Sequence, residues 1–127
     1  GALMVFTNAP NLEGLYSSGV AINGVVSSQL LLSIFNKESP LHDGAVLIKD
    51  NIVLAASCVL PVTDRPGVPQ RLGLRHRAAI GISEYANITV FVISEETGRL
   101  TYTHQGDISE DIGTNDMRRI LERVLYN

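Results

Sequence analysis

Three short polar segments interrupt a largely apolar sequence, and each contains side chains that take part in enzyme chemistry. They are LHDGA at residues 41 to 45, GLRHRAA at residues 73 to 79 and ISEETG at residues 93 to 98. Carboxylates and imidazoles bind divalent metals, while guanidiniums bind phosphate oxygens. Together the segments indicate a metal-dependent site for a nucleoside phosphate.

In LHDGA, His42 and Asp43 offer a nitrogen and a carboxylate that suit a divalent metal. Gly44 would allow a ligand to approach the backbone closely. Asp and Gly also dominate ordinary turns, so a plain turn that caps a strand or helix is an equal alternative for this segment.

In GLRHRAA, Arg75 and Arg77 lie on one side if the stretch is extended and diverge if it is helical, with His76 as a further donor between them. Paired guanidiniums suit phosphate because each is a planar fork of donors that is always charged. The small Ala78 and Ala79 would let a helix begin close to the anion. The alternative is a pair of surface arginines that balance nearby acids.

In ISEETG, Ser94, Glu95 and Glu96 directly follow the apolar run ITVFVI. Carboxylates at a strand end can supply a second metal ligand, but a solvated turn fits equally well. The sequence contains neither a Walker loop nor a GxGxxG motif, so the commonest nucleotide cradles are excluded.

The rest of the chain must form the elements that position these segments. Apolar runs predict strands at residues 2 to 6, 45 to 49, 52 to 60, 88 to 93 and 100 to 104, with a further strand near Leu15 and Tyr16. Turn signals at Asp50-Asn51 and at SEETGR predict that four of these strands form two hairpins.

Helices are predicted within residues 27 to 35, capped by Ser27 or Ser28, from near His76, and from Thr114 onward. Residues 63 to 73 are predicted to form a long loop within the domain and not a linker between domains. The predicted class is α+β: one domain over residues 1 to 127, with a mixed central sheet flanked by helices and with residues 107 to 127 as a C-terminal packing helix region.

Composition narrows the classes of function. The chain has 127 residues, 45% of them hydrophobic, and a formal net charge of −3. This negative charge argues against general electrostatic binding to nucleic acid or to an anionic membrane. The single cysteine, Cys58, cannot form an internal disulfide, which favours a reducing, cytoplasmic compartment.

The sequence shows no run of 18 apolar residues and no signal peptide. It lacks an initiator Met and opens on the strand-like GALMVF, so we expect an excised domain. The missing N-terminal part could contain a membrane anchor.

Taken in order, LHDGAVLIKDN, LPVT, GLRHRAAIGISE and ISEETG closely resemble the bacterial diadenylate cyclase domain, above all that of the membrane-associated type. The resemblance covers about residues 1 to 106, and the paired DGA and RHR motifs carry it. It implies synthesis of cyclic di-AMP from two ATP molecules with release of two pyrophosphates. It also implies a homodimer, in which two facing subunits each hold one ATP, and a parent chain anchored in the cell membrane.

The resemblance further implies three groups of site residues. The implied catalytic residues are Asp43, Arg75, His76 and Arg77. The residues implied to line the nucleotide are Gly44, Ala45, Leu60, Leu74, Arg75, Arg77, Ser94 and Glu95. The implied metal ligands are His42, Asp43 and Glu96, and the ion would be Mg²⁺, Mn²⁺ or a similar divalent ion such as Co²⁺.

One departure concerns Leu74, which stands where many relatives have a threonine that could hydrogen-bond to the nucleotide. The absence of this threonine hydroxyl removes about 0.5–1.5 kcal/mol of nucleotide-binding free energy, too little to abolish function. Three other readings stay open: a non-catalytic nucleotide sensor, a metal-dependent phosphohydrolase and a structural interaction domain. The intact Asp43 and the complete RHR triplet argue against the sensor, and the lack of a dense His/Asp cluster argues against the phosphohydrolase.

Overall fold

The computed structural model describes residues 1–7, 17–60, 68, 72–84 and 88–126. The strands with described bounds are β1 Ala2–Thr7, β2 Val20–Val25, β3 Ala45–Lys49, β4 Ile52–Cys58, β5 Ile88–Ile93, β6 Leu100–His104 and β7 Asp107–Ser109. The helices with described bounds are α1 Ser28–Ile34, α2 Leu74–Ser83 and α3 Thr114–Tyr126.

The strands form one mixed sheet in the order β2-β4-β3-β1-β5-β6-β7. β1 and β3 run parallel, with Met4 opposite Val46, and the other pairings in the described sheet are antiparallel. Ala2 pairs with Ile93 of β5. As a result, β1 and β3 begin at the end of the sheet where β4 and β5 finish.

Side chains alternate between the two faces of the sheet and divide the core into two layers. Leu3 and Val5 of β1 pack in the layer under α2, whereas Met4 and Phe6 pack in the layer that contacts α1 and α3. Full burial of such a side chain contributes about 1.5–3 kcal/mol. A one-residue slip would exchange the faces, so the core fixes the strand register and the positions of the strand ends.

Most predicted elements are confirmed. Every residue of β1 is buried, and the hairpins β3–β4 and β5–β6 form where the turn signals placed them. Ser27 caps α1 by accepting a hydrogen bond from the Leu30 amide at 3.0 Å. The arginines of α3 are exposed, while its apolar side chains pack on the sheet. The α+β class is therefore confirmed.

Other predictions need correction or lie outside the described residues. The sequence did not predict β2, and α2 begins at Leu74, two residues before the predicted position. The packing helix expected from Asp107 onward begins only at Thr114, because Asp107–Ser109 pair with β6 as β7. The strand expected near Leu15 and Tyr16, and most of the loop from 63 to 73, lie outside the described residues. No helix in the described part of the chain combines the length and apolar character needed to cross a bilayer.

Candidate active site

The three polar segments lie at one end of the sheet because the strand register brings them there. Asp43 and Gly44 precede β3, Ser94 and Glu95 follow β5, and β1 runs between these two strands. Neighbouring strands are about 4.8 Å apart, so the Asp43 and Ser94 segments are separated by about 10 Å across the sheet. The first turn of α2 lies over the same end, since Arg75 reaches Glu95.

The Asp43-Gly44 turn is held against the end of β4. Gly44 has φ +84°, and a Cβ added there would lie 2.8 Å from the Cys58 carbonyl oxygen. The Ser57 hydroxyl donates a hydrogen bond of 2.8 Å to the Asp43 carbonyl oxygen. Ser57 itself has φ +58°, at a register shift between β3 and β4. These contacts fix the backbone of Asp43 and leave the residue exposed.

The ring of His42 is oriented by a backbone contact. Its Nδ1 lies 2.8 Å from the Ser39 carbonyl oxygen. A carbonyl only accepts hydrogen bonds, so Nδ1 must carry the proton, and in the neutral ring Nε2 keeps its lone pair. Metal-binding histidines are commonly oriented by this kind of contact. The chemistry of His42 therefore fits the predicted role as a metal ligand.

The RHR triplet forms the first turn of α2, and the two arginines diverge. The Arg75 Nη1 donates to the Glu95 Oε2 at 3.1 Å, whereas the Arg77 Nε donates to the Leu72 carbonyl oxygen at 3.3 Å. Of the two readings left open by the sequence, the helical one is correct. Gly73 is the N-cap and supplies no side-chain cap to the helix start.

The segment after β5 is a tight turn braced by its own hydrogen bonds. The Ser94 amide donates to the Arg99 carbonyl at 2.9 Å, and the Gly98 amide donates to the Ser94 carbonyl at 3.0 Å. The hydrogen bond from Arg75, together with its charge, holds the pKa of the exposed Glu95 carboxyl below its usual value. Glu95 is therefore ionised at neutral pH and paired with Arg75.

A cleft of about 530 Å³ opens between the start of α2 and this turn. Six predicted site residues are among its lining residues: Leu74, Arg75, His76, Ser94, Glu95 and Glu96. Sequence reasoning missed other residues that also line it, among them Arg99, Thr101, Glu110 and Asp111. The sequence contained one signal for Arg99. If the alternation of side chains along β6 is extended by one residue toward the N-terminus, Arg99 lies on the same face as Thr101 and Thr103.

Six predicted residues are not among the residues that line this cleft: His42, Asp43, Gly44, Ala45, Leu60 and Arg77. Ala45 and Leu60 are buried and belong to the core layer under α2. His42, Asp43 and Gly44 lie at the same sheet end as the cleft, on the β3 side of β1. Their roles toward a nucleotide stay predictions, as does that of Arg77.

Two of the three predicted metal ligands are carboxylates, which suit a hard divalent ion, whereas an imidazole nitrogen suits softer ions better. His42 offers a ring nitrogen, and Asp43 and Glu96 are exposed carboxylates. Among the described residues, no group of three or more His, Cys, Asp or Glu side chains is close enough together to hold a metal. Mg²⁺ is commonly bound by one or two carboxylates together with substrate phosphates and water, so this donor set fits a metal that binds with the nucleotide.

Comparison with known proteins identifies the family. Residues 1–108 match the family model described as DAC, DisA bacterial checkpoint controller nucleotide-binding. A diadenylate cyclase of Listeria monocytogenes is 40% identical over 125 residues, which is 98% of this chain and 46% of that protein. The chain thus spans about half the length of this curated relative.

Two solved structures agree with this match. The crystal structure of DacA from Staphylococcus aureus, a double mutant, superposes with a TM-score of 0.93 at 36% identity, covering 99% of this chain and 84% of that one. A hypothetical membrane spanning protein from Bacillus cereus gives a TM-score of 0.82 at 42% identity, covering 88% of this chain and 55% of that one. The chain therefore belongs to the DAC family of DisA bacterial checkpoint controller nucleotide-binding domains.

Proposed function

We propose that this chain is the catalytic domain of a diadenylate cyclase, which condenses two ATP molecules into cyclic di-AMP and releases two pyrophosphates. The observation that carries the proposal is the cleft between the Arg75 end of α2 and the Ser94-Glu95 turn, with Asp43 at the same end of the sheet. Family membership and the name of the Listeria relative support the same activity.

The proposed reaction is a pair of nucleotidyl transfers. In each, the 3′-oxygen of one ATP attacks the α-phosphorus of the other, a P–O bond to the 3′-oxygen forms, and the bond to the bridging oxygen of pyrophosphate breaks. The exposed Asp43 carboxylate is suited to receive the proton of the 3′-hydroxyl. Catalysis of this kind depends mainly on alignment and electrostatics.

The basic residues of the RHR triplet would stabilise the phosphates. Arg75 and His76 line the cleft and can face the charge that develops on the phosphoryl and leaving-group oxygens. Arg75 already pairs with Glu95 at 3.1 Å, so phosphate oxygens would share its guanidinium with that carboxylate or displace it. Arg77, held to Leu72, would act from the side of the loop that precedes the helix.

The same proposal includes a divalent metal for which Asp43, His42 and Glu96 are the candidate ligands; in the described residues they form no ready-made cluster, so the nucleotide's phosphates would supply the other ligands. A bound metal would lower the cost of bringing an oxygen nucleophile up to an anionic phosphate. His42 is suited to this role because the Ser39 carbonyl fixes its tautomer and leaves Nε2 as the donor.

The active unit is proposed to be a homodimer. Cyclic di-AMP is two-fold symmetric, and a C2 pair of subunits, each holding one ATP, matches that symmetry. In such a pair each 3′-hydroxyl would meet the α-phosphate held by the partner. The exposed Leu74, with 73% of its surface accessible, lies at the mouth of the cleft and would face the partner or its nucleotide.

The site of action is proposed to be the cytoplasmic face of the cell membrane. The chain covers only part of its curated relatives, and one similar structure carries the name of a membrane spanning protein. An anchor elsewhere in the parent would raise the effective concentration of facing domains. On this basis the isolated domain should form its active pair weakly.

Incubation with ATP and Mn²⁺ or Mg²⁺ at several protein concentrations, with chromatography of the products, tests the proposal. Asp43→Asn is the test variant. Asp50→Asn is the matched control, since Asp50 is an exposed aspartate in the β3–β4 hairpin turn, at the other end of β3. We expect cyclic di-AMP from the unsubstituted chain and from Asp50→Asn, but not from Asp43→Asn. The specific activity should rise with protein concentration. Retained ATP binding without product would favour a sensor or a failed dimer, and ADP or AMP alone would favour hydrolysis.

A further inference from the structure

Arg99 is a cation of the cleft that the sequence motifs did not identify. It lines the cleft together with Arg75 and His76 but lies across from them, on the turn that leads into β6. Its backbone is fixed on both sides: its amide donates to the Thr97 hydroxyl at 3.2 Å, and its carbonyl accepts from the Ser94 amide at 2.9 Å.

The guanidinium of Arg99 differs from that of Arg75 in its partners. Arg75 forms an ion pair with Glu95, and within the described part of the chain the Arg99 side chain forms no ion pair or hydrogen bond. A phosphate can therefore bind Arg99 without displacing a carboxylate. The residue is exposed, so its charge is accessible to a ligand.

The charge of the cleft makes this cation important. The described lining residues include the carboxylates Glu95, Glu96, Glu110 and Asp111, against the guanidiniums of Arg75 and Arg99. A nucleoside triphosphate carries several negative charges and would be repelled by the carboxylates. With Arg75 partly neutralised by Glu95, Arg99 supplies much of the remaining attraction for phosphate.

The position of Arg99 indicates which phosphates it reaches. Along the sheet edge the order is β3, which follows Asp43, then β1, β5 and β6, which follows Arg99. Three strand spacings amount to about 14 Å. If Asp43 acts near the reacting α-phosphate, Arg99 stands at the far end of the site, beyond the Arg75-Glu95 pair.

We infer that Arg99 binds the terminal phosphates of ATP, the part that leaves as pyrophosphate. The inference rests on the proposed function, because it takes ATP as the ligand of this cleft. It adds a phosphate-binding residue outside the RHR and SEE segments. Guanidinium–phosphate contacts are bidentate and charge-assisted, so a lysine at this position should replace Arg99 only in part.

Equilibrium binding by calorimetry tests the inference on the whole chain. One probe is α,β-methylene-ATP, which has three phosphate groups but a carbon in place of the oxygen between the α- and β-phosphorus atoms, so that the bond broken in the reaction is replaced. The other probe is AMP, which lacks the terminal phosphates. Arg99→Gln should weaken binding of the analogue about tenfold or more and leave AMP binding unchanged, while Arg99→Lys should fall between. Arg118→Gln is the control, because it removes the same charge from an exposed position on α3, over the other face of the sheet.

The inference would be overturned by analogue binding by Arg99→Gln equal to that of the unsubstituted chain, by an equal loss of analogue and AMP binding, or by an equal loss in Arg118→Gln. No binding of the analogue by the parent would overturn it as well. Incubation of the same protein preparations with ATP, followed by product analysis, separates this test from the proposed function. Arg99-dependent binding without cyclic di-AMP from ATP would support the inference and contradict the cyclase, and cyclic di-AMP with Arg99-independent binding would do the reverse.

Discussion

Replacement of Gly44 by alanine tests whether the backbone before β3 needs a glycine to hold Asp43. The added Cβ would lie 2.8 Å from the Cys58 carbonyl oxygen and 2.9 Å from the Ser57 carbonyl carbon. Both are backbone atoms, so no side-chain rotation relieves the contact. The positive φ costs an alanine about 1–2 kcal/mol, and overpacking adds about 1–3 kcal/mol. The free energy of unfolding should therefore fall by about 2–5 kcal/mol.

Gly98→Ala is the matched control, because Gly98 has φ +72° but no described atom within 4 Å of an added Cβ. This variant should lose only the conformational term, about 1–2 kcal/mol. Urea unfolding followed by circular dichroism measures both losses, provided that the slope with urea is unchanged. Equal losses in Gly44→Ala and Gly98→Ala would show that the contact with β4 contributes nothing to the cost of the Gly44 substitution.

Three further predictions concern other contacts. Thr103→Val should lower the free energy of unfolding by about 0.5–1.5 kcal/mol in the same urea assay, because the buried hydroxyl donates to the Ala79 carbonyl of α2 at 3.1 Å; an unchanged free energy of unfolding would contradict this. Arg75→Gln should raise the pKa of Glu95 toward its usual value in a ¹³C NMR titration, and an unchanged pKa would refute the pairing. In the parent, this pairing is present at neutral pH and is lost as the pH falls through the lowered pKa. Iodoacetamide should label Cys58 only after unfolding, since burial shields the thiol and raises its pKa; rapid labelling of the native chain would contradict this.

Much of the fold was predictable because its central strands are buried on both faces. β1, β3 and β5 are continuous apolar runs, and such runs are hard to place anywhere except in the middle of a covered sheet. β2 was missed because it is an edge strand with mostly exposed side chains, and because Asn23, at φ +54°, and Gly24 interrupt its pattern. Local sequence did not signal its pairing with β4.

The sequence predicted three polar segments, which the sheet brings to one end, but not how each side chain points. Whether Arg75 and Arg77 converge depends on the backbone between them, and the helix turns Arg77 toward Leu72. Arg99 was not predicted as a site residue because it belongs to no motif. It lines the cleft only because the side chains of β6 alternate between the two faces of the sheet. The bulge at Ser57 that supports Asp43 requires the register of two strands, which residue types alone do not specify.

The stoichiometry of the reaction is the most direct test of the central claim that this cleft performs nucleotidyl transfer. The chain is incubated with ATP and Mn²⁺, the dinucleotide is identified by mass spectrometry, and pyrophosphate is assayed in the same reaction. Every two ATP consumed should yield one cyclic di-AMP and two pyrophosphates, and Asp43→Asn should lose both products. Consumption of ATP to ADP and phosphate, or no consumption while ATP still binds at the highest protein concentration, would contradict the claim.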